Sequence, residues 1–148
     1  MSNDSTPSAA PKAERLRVPT GVARSESVIK NSIFIGTVGR AEGVAAAEAF
    51  IAAVRAEFPD ASHNAWAYRL SAGPQGLIGS SDDGEPGGTA GRPMLAVLEG
   101  SGLVQVVAVG TRYFGGTKLG TGGLVRAYGG AVREALLDLP VEELVLHR

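Results

Sequence analysis

The sequence predicts an α+β fold in which helices pack on a β-sheet as a two-layer sandwich. Strand-like and helix-like patterns alternate in the order ββαβαβαβ, and a valine-rich strand in the second half leads through a glycine turn into a helix. In addition, 17 of the 21 glycines lie between Ser71 and Gly130. Because glycine costs roughly 0.5–1 kcal/mol in a regular element, this density indicates turns or close approach to the backbone.

The composition predicts one domain behind a short tail. Residues 1–20 begin with a segment rich in serine, proline and alanine, for which we expect a disordered tail, and residues 21–148 are expected to form a single domain. The absence of cysteine excludes disulfides, thiol nucleophiles and thiolate metal sites. No run approaches the roughly 20 apolar residues of a membrane span. We therefore expect a cytoplasmic protein without a membrane partner.

The first half of the chain predicts strands around one helix. Ser27–Val38 contains two β-rich runs separated by the turn-like triplet Lys30–Ser32, which indicates a strand pair or one bent strand. Gly43–Phe58 has apolar residues at spacings of three and four, the pattern of a helix, and Pro59 ends it. His63–Leu70 alternates between two faces, as a strand does.

The second half predicts a loop followed by helices and strands. Ser71–Gly88 is expected to be a long loop, with a short extended piece at Leu77-Ile78. We expect Thr89 to cap a helix that runs to about Glu99, and Thr121 to cap one that runs to about Leu139. The predicted strands of this half are Leu103–Phe114, which is apolar and central, and Val141–Leu146.

Charge is distributed unevenly, although the net charge is only −1. Asp82, Asp83 and Glu85 lie close together in the long loop, whereas Gly100–Arg133 contains four basic residues and no acidic one. Three carboxylates within four residues make a poor metal cage without further ligands. We therefore predict a structural acidic loop, held by Arg92, Arg112 or Lys118 and by backbone N–H groups, with no metal and no cofactor.

Two basic features follow the central strand. Lys118, Gly120, Gly122 and Gly123 lie where the glycine turn opens the last helix, and such a position favours anion binding through backbone N–H groups. The alternative is a tight turn that packing requires. Within the helix, Arg126, Gly130 and Arg133 are expected to lie opposite the core, where phosphate or a partner chain would approach the bare backbone. The alternative is a solvated arginine stripe.

Catalytic machinery is not evident in the sequence. His63 lies on a strand face with small residues, and together with Tyr113 it marks a possible cleft. No serine or aspartate stands at a spacing that indicates a triad. The histidine is equally explained as a structural residue, and we predict no catalytic residue.

Two long motifs resemble the IMPACT/YigZ family. They are DDGEPxGTAGxPM at Asp82–Met94 and RYFGGxKLGxGGLVRAY at Arg112–Tyr128, and Ser32–Ile35 and His63–Tyr68 add weaker matches. The resemblance implies a fold similar to the second domain of ribosomal protein S-five and the fourth domain of the translocation elongation factor. Bacterial members commonly continue into a ferredoxin-like domain, so this chain is expected to be a single-domain member or a truncated one.

The resemblance also implies a function. Eukaryotic IMPACT proteins restrain a starvation-responsive kinase that phosphorylates a translation initiation factor, and proteins of this fold often contact RNA or the ribosome. We therefore expect a non-enzymatic RNA- or ribosome-associated protein linked to translational regulation, in which Arg112, Lys118, Arg126 and Arg133 contact phosphates. The alternatives are a small enzyme acting on a phosphorylated or anionic ligand through the glycine-rich loop, and a module that binds a translation-regulating protein.

Overall fold

The computed structural model describes residues 14–73 and 76–146. Two sheets and three helices account for most of this part of the chain. In chain order the elements are β1 Glu14–Pro19, β2 Ala23–Ile29, β3 Ser32–Arg40, α1 Val44–Glu57, β4 His63–Arg69, β5 Ile78–Ser81, α2 Gly91–Ser101, β6 Val106–Tyr113, α3 Gly120–Leu137 and β7 Val141–Leu146.

The main sheet has five strands in the order β2-β3-β6-β4-β5, and every neighbouring pair is antiparallel. The valine-rich strand β6 is the middle strand, as the sequence predicts, and all but its last residue are buried. β3 and β4 therefore run parallel to each other on either side of β6, with α1 in the connection between them. This arrangement brings His63 of β4 directly opposite Arg112 of β6.

Helices cover both faces of this sheet, so the predicted α+β class is confirmed. Side chains alternate along β6: Val106 and Ala108 belong to the core beneath α2 and α3, while Val107 and Val109 belong to the core beneath α1. The first core also contains Tyr128 of α3. The sheet thus separates two apolar layers, and α1 adds a further layer to the two-layer sandwich of α2, α3 and sheet.

The predicted strand pair is a hairpin of β2 and β3. Lys30 and Asn31 form its two-residue turn, with φ of 47° and 70°. Positive φ at both central residues is the geometry that fits the twist of a two-residue hairpin. The turn-like triplet in the sequence therefore marks the connection at the correct place.

The end of the predicted tail differs in the structure. Glu14–Pro19 forms β1, which pairs with β7 as a separate two-stranded ribbon, so the predicted tail boundary at residue 20 is wrong. Val18 is fully buried, and the backbone N–H of Val104 donates to the carbonyl of Arg17 at 3.0 Å. The remainder of the predicted tail lies outside the described residues.

Both predicted helix caps are wrong. α2 begins one residue after Ala90, and the Thr89 hydroxyl donates instead to the carbonyl of Pro86 at 2.5 Å. α3 begins at Gly120 after Leu119, so that Thr121 already lies inside the helix, and no side chain caps either helix. The short extended piece predicted within the long loop is present as β5, which begins at Ile78, runs on to Ser81 and pairs with an edge of β4.

Candidate functional site

A buried polar cluster lies between the main sheet and α3. Nη1 of Arg112 donates to both carboxylate oxygens of Glu85, at 3.0 and 3.1 Å, and the Tyr128 hydroxyl donates to the same carboxylate at 2.5 Å. Nε of Arg112 donates to the hydroxyl of Ser32 at 3.3 Å. The Glu85 and Arg112 side chains are only 3% and 6% exposed, so their opposite charges compensate each other in a region without solvent.

The surroundings fix the protonation state of this cluster. Burial and the hydrogen bond to Glu85 raise the pKa of the Tyr128 phenol far above its ordinary value, so the hydroxyl remains a donor. The Tyr128 ring packs edge-on against Phe34, with the ring centroids 5.2 Å apart. The Arg112 guanidinium lies near the rings of Phe34 and Phe114, at 5.5 and 5.3 Å from their centroids. The carboxylate partner of Tyr128 is visible only in the structure.

His63 extends this cluster toward the surface. Its Nδ1 lies 2.8 Å from the carbonyl oxygen of Asp83. Since that oxygen only accepts, Nδ1 carries the proton and donates it. Nε2 faces Glu85 at 3.6 Å from Oε1, which is beyond hydrogen-bond distance. The imidazole is therefore oriented by the acidic loop, with its second nitrogen beside the buried carboxylate.

The acidic loop is held by backbone donors and arginines. The Asp82 carboxylate accepts from the N–H groups of Gly88, Ala90 and Gly91 at 2.8 to 3.1 Å. Burial opposes its ionisation, but these three hydrogen bonds outweigh burial and, with the charge of Arg92, lower the pKa of Asp82. By this arrangement Asp82 connects the loop to the start of α2.

Asp83 is held differently from Asp82. It accepts from the backbone N–H of Asn64 at 2.7 Å, and Arg55 lies 3.7 Å from its other oxygen. Within the described part of the chain, no group of three or more histidine and acidic side chains has a geometry that would hold a metal ion. The loop therefore joins β4 and the start of α2 through hydrogen bonds, and α1 through the Arg55–Asp83 ion pair.

A cleft of about 390 Å³ opens beside the cluster, where the glycine turn meets the first turn of α3. His63, Glu85 and Arg112 form its inner end, and Lys118 and the start of α3 at Gly120 form its outer end. The remaining lining residues are Pro86, Phe114, Leu119, Thr121 and Leu124. The glycine turn itself is constrained by packing, because a Cβ on Gly115 would lie 2.0 Å from the carbonyl oxygen of Asn31.

The outer face of α3 carries a second group of predicted residues. Arg126 and Arg133 are exposed, and neither makes an ion pair or a hydrogen bond with the residues that the structure describes. Gly122 precedes Arg126 by one turn, and a Cβ on Gly130 would meet open space. Grooves on both sides of α3 reach these two arginines. Gly129 instead packs against α2.

The predicted site residues therefore fall into two places. Lys118, Gly120 and Arg112 belong to the cleft, whereas Arg126 and Arg133 belong to the outer face of α3. Gly123, in the first helical turn, lies against Leu119. The predicted cleft of His63 with Tyr113 does not form. Tyr113 points to the opposite face of the sheet, where it packs against Phe58 and its hydroxyl donates to Asp60 at 3.0 Å.

These features define an α+β domain with a charged cleft at the start of a glycine-rich helix. Residues 30–136 match the model of the Impact N-terminal domain. The chain is 49% identical over 126 residues to the IMPACT family member YigZ of Escherichia coli (strain K12), and 49% identical over 120 residues to an IMPACT family member of Haemophilus influenzae. The chain therefore belongs to the IMPACT family, as the motifs indicate.

A solved structure shares this fold. A crystal structure described as that of a hypothetical protein superposes with a TM-score of 0.83 at 48% identity, covering 88% of this chain and 64% of that one. The matches to the Escherichia coli and Haemophilus influenzae relatives cover 84% and 80% of this chain. They cover 62% and 58% of those relatives, so the chain spans about three fifths of their length.

Proposed function

We propose that this domain binds RNA on or near the ribosome, through the outer face of α3, and that it acts in translational regulation in the cytoplasm. The observation that carries the proposal is a pair of exposed arginines, Arg126 and Arg133, which have no ion-pair partner among the described residues, with the bare backbone of Gly130 between them. Membership of the IMPACT family agrees with a translational role. No helix among the described residues is long and apolar enough to cross a membrane.

The spacing of these arginines suits a nucleic-acid backbone. Seven residues of helix separate Arg126 from Arg133, a rise of about 10 Å at about 1.5 Å per residue. Every nucleotide of a nucleic-acid strand carries a phosphate, so two guanidinium groups at this separation on one helix face would contact different phosphates of one backbone. Contacts of this kind determine position and affinity but do not select a base sequence.

The proposal is tested by the salt dependence of RNA binding. Filter binding or fluorescence anisotropy with two RNAs of unrelated sequence would compare the parent chain with Arg126→Ala/Arg133→Ala. Each phosphate contact contributes a slope of about 0.7 to 0.9 to the logarithm of affinity against the logarithm of salt. We expect the double variant to lose roughly 1.4 to 1.8 from the slope, by the same amount for both RNAs.

A matched control is available on other surfaces of the domain. Arg15→Ala/Arg55→Ala removes the same net charge, and both arginines already lie near carboxylates, Glu143 at 2.7 Å and Asp83 at 3.7 Å. The control is expected to keep most of the affinity and slope of the parent. An unchanged slope in the α3 variant, or an equal loss in the control, would exclude the α3 face as the RNA site. Co-sedimentation with ribosomes, lost in the same variant alone, would extend the result to the ribosome.

A further inference from the structure

The cleft beside α3 contains a buried cation whose donors are not all used. Arg112 is 5% exposed and lines the cleft. Its Nη1 donates to the Glu85 carboxylate and its Nε donates to the Ser32 hydroxyl, but its Nη2 makes no hydrogen bond with any residue that the structure describes. Since nearly all buried polar groups have a hydrogen-bond partner, this unused donor indicates that a group other than the described residues completes the site.

The outer end of the cleft supplies further donors. Gly120 and Thr121, the first residues of α3, line the cleft, and the first turn of α3 has no side-chain cap. The initial N–H groups of a helix lack partners within the helix and carry partial positive charge. The Thr121 hydroxyl and the exposed Lys118 stand at the same end. The donors therefore converge from the arginine, the lysine, the hydroxyl and the backbone.

The charge balance of the cleft favours a dianion. Among its lining residues Glu85 is the only acidic side chain, and Arg112 already compensates it. Lys118 and the α3 N-terminus then remain as uncompensated positive charge. A phosphate monoester, with a charge between −1 and −2 near neutral pH and three strong acceptor oxygens, matches these donors in both charge and number. A carboxylate offers fewer acceptors and a single charge.

The remaining wall of the cleft is apolar, and it would accommodate the organic part of such a ligand. Pro86, Leu119 and Leu124 contribute aliphatic surface. Phe114 also lines the cleft and is 51% exposed, so its ring is available for stacking. At about 390 Å³ the cleft lies within the usual size range of small-molecule sites, roughly 300–1,000 Å³.

We propose that this cleft is a binding site for a phosphate monoester carried on a planar organic group. The phosphate would lie at the α3 N-terminus between Lys118 and Arg112, and the planar group against Phe114. This site is separate from the outer face of α3 and does not depend on the RNA-binding role proposed above. Its ligand would be either a free phosphorylated metabolite, such as a nucleoside monophosphate, or the terminal phosphate of an RNA strand.

The test uses adenosine 5′-monophosphate as the probe and follows backbone amide resonances by NMR at constant ionic strength. We expect saturable shifts of the amides of residues 120–123, with adenosine and acetate at least roughly tenfold weaker because each lacks the phosphate. Lys118→Met, an exposed substitution, is expected to weaken binding at least roughly tenfold. Phe114→Ala is expected to weaken the nucleotide while leaving inorganic phosphate unchanged.

The control variant is Arg133→Ala, because the Arg126 guanidinium lies beside Gly122, among the amides that report binding. This control is expected to bind the probe as the parent does, so the two proposals stand or fall separately. The cleft proposal is overturned by an absence of saturable shifts up to about 10 mM probe, or by equal losses in this control and in Lys118→Met. A short RNA with a 5′-phosphate is then compared with its 5′-hydroxyl form. A 5′-phosphate preference lost in Lys118→Met supports the site with RNA ends as its source, and saturable monophosphate binding without that preference supports a free metabolite.

Discussion

Replacing Arg112 by methionine is expected to destabilise the domain more than any exposed charge substitution. The change keeps an unbranched, largely apolar side chain but removes the guanidinium. It leaves the Glu85 carboxylate, which is only 3% exposed, with the Tyr128 hydroxyl as its remaining hydrogen-bond donor among the described residues. Breaking a buried ion pair by removing one partner costs about 3–5 kcal/mol. Domains of this size are stable by only about 5–15 kcal/mol, so a large part of the free energy of unfolding would be lost.

We attribute most of this cost to the Glu85 charge that loses its partner, and not to the change in side-chain volume at position 112. In the triple variant Glu85→Leu/Arg112→Met/Tyr128→Phe all three polar groups become apolar, and no buried carboxylate or hydroxyl is left without a partner. Apolar replacement of a buried ion pair is often neutral or stabilising. We therefore expect the triple variant to recover most of the loss, to within about 1–2 kcal/mol of the parent.

The exposed ion pair of Arg24 and Glu57 in the same chain is the matched control. Arg24 donates to both oxygens of Glu57 at 2.7 and 2.9 Å and lies 5.0 Å from the Phe58 ring centroid, much as Arg112 lies beside Glu85 and Phe114. Arg24 also donates through Nε to the Thr37 hydroxyl at 2.9 Å, but its ion pair with Glu57 is exposed, so Arg24→Met is expected to cost clearly less than Arg112→Met.

Urea unfolding monitored by circular dichroism, with the denaturant slope held equal among variants, measures all three changes. If Arg112→Met costs no more than Arg24→Met, or if the triple variant is as unstable as Arg112→Met alone, the unpaired Glu85 charge is not the cause of the loss.

Three further predictions concern single side chains. Asp82→Asn is expected to reduce stability at neutral pH, and its difference from the parent should disappear in acid. The lowered pKa of Asp82 gives stability that is present above about pH 4 and lost as pH falls through the folded pKa. Urea midpoints at pH 7 and pH 3 measure this difference. Gly130→Leu is expected to fold with nearly the parent melting temperature but to weaken RNA binding, whereas Gly36→Ala should lower the melting temperature, because its Cβ would lie 2.5 Å from the Ala131 carbonyl oxygen. The raised pKa of the Tyr128 phenol gives stability that is present below about pH 10 and lost at higher pH. Absorbance at alkaline pH should therefore show Tyr128 ionising only as the domain unfolds. Tyr128→Phe should remove part of the alkaline loss of stability.

Local patterns in the sequence were sufficient for most of the elements. The spacing of apolar residues predicts α1, with Ala47, Ile51 and Val54 buried as one stripe. The valine-rich run predicts β6, because a strand buried on both faces needs no alternation. The helical spacing within α3 also predicts that Arg126 and Arg133 are exposed, since it places them opposite the buried side of the helix. In each of these cases the signal lies within a few residues of the element it predicts.

The sequence was less informative where structure depends on distant partners. β1 is stabilised by pairing with β7, whose residues lie more than 120 positions away, and its own composition resembles a tail. Arg112 lies two residues after Gly110, on the face of β6 that packs beneath α2 and α3. Its burial depends on Glu85, to which it donates, and on Tyr128, which donates to the same carboxylate. Tyr113, the next residue, necessarily points to the opposite face of the sheet.

Because β6 is the middle strand of the sheet, the sheet can close only late in the synthesis of the domain. β3 and β4 end at residues 40 and 69, yet each leaves an inner edge unpaired until β6, at residues 106–113, is inserted between them. Unpaired strand edges are templates for pairing with other chains. A nascent chain that has passed residue 69 therefore exposes two such edges for more than thirty further residues.

The same late segment carries both proposed sites. β6, the glycine turn and α3 follow one another directly, so the arginine of the cleft and the arginines of the outer face reach their places only as the sheet closes. A partly synthesised domain would have neither a phosphate cleft nor a basic helix, and its exposed edges would favour aggregation or chaperone binding. The abundance of this domain in a cell is thus expected to depend strongly on whether synthesis reaches the end of α3.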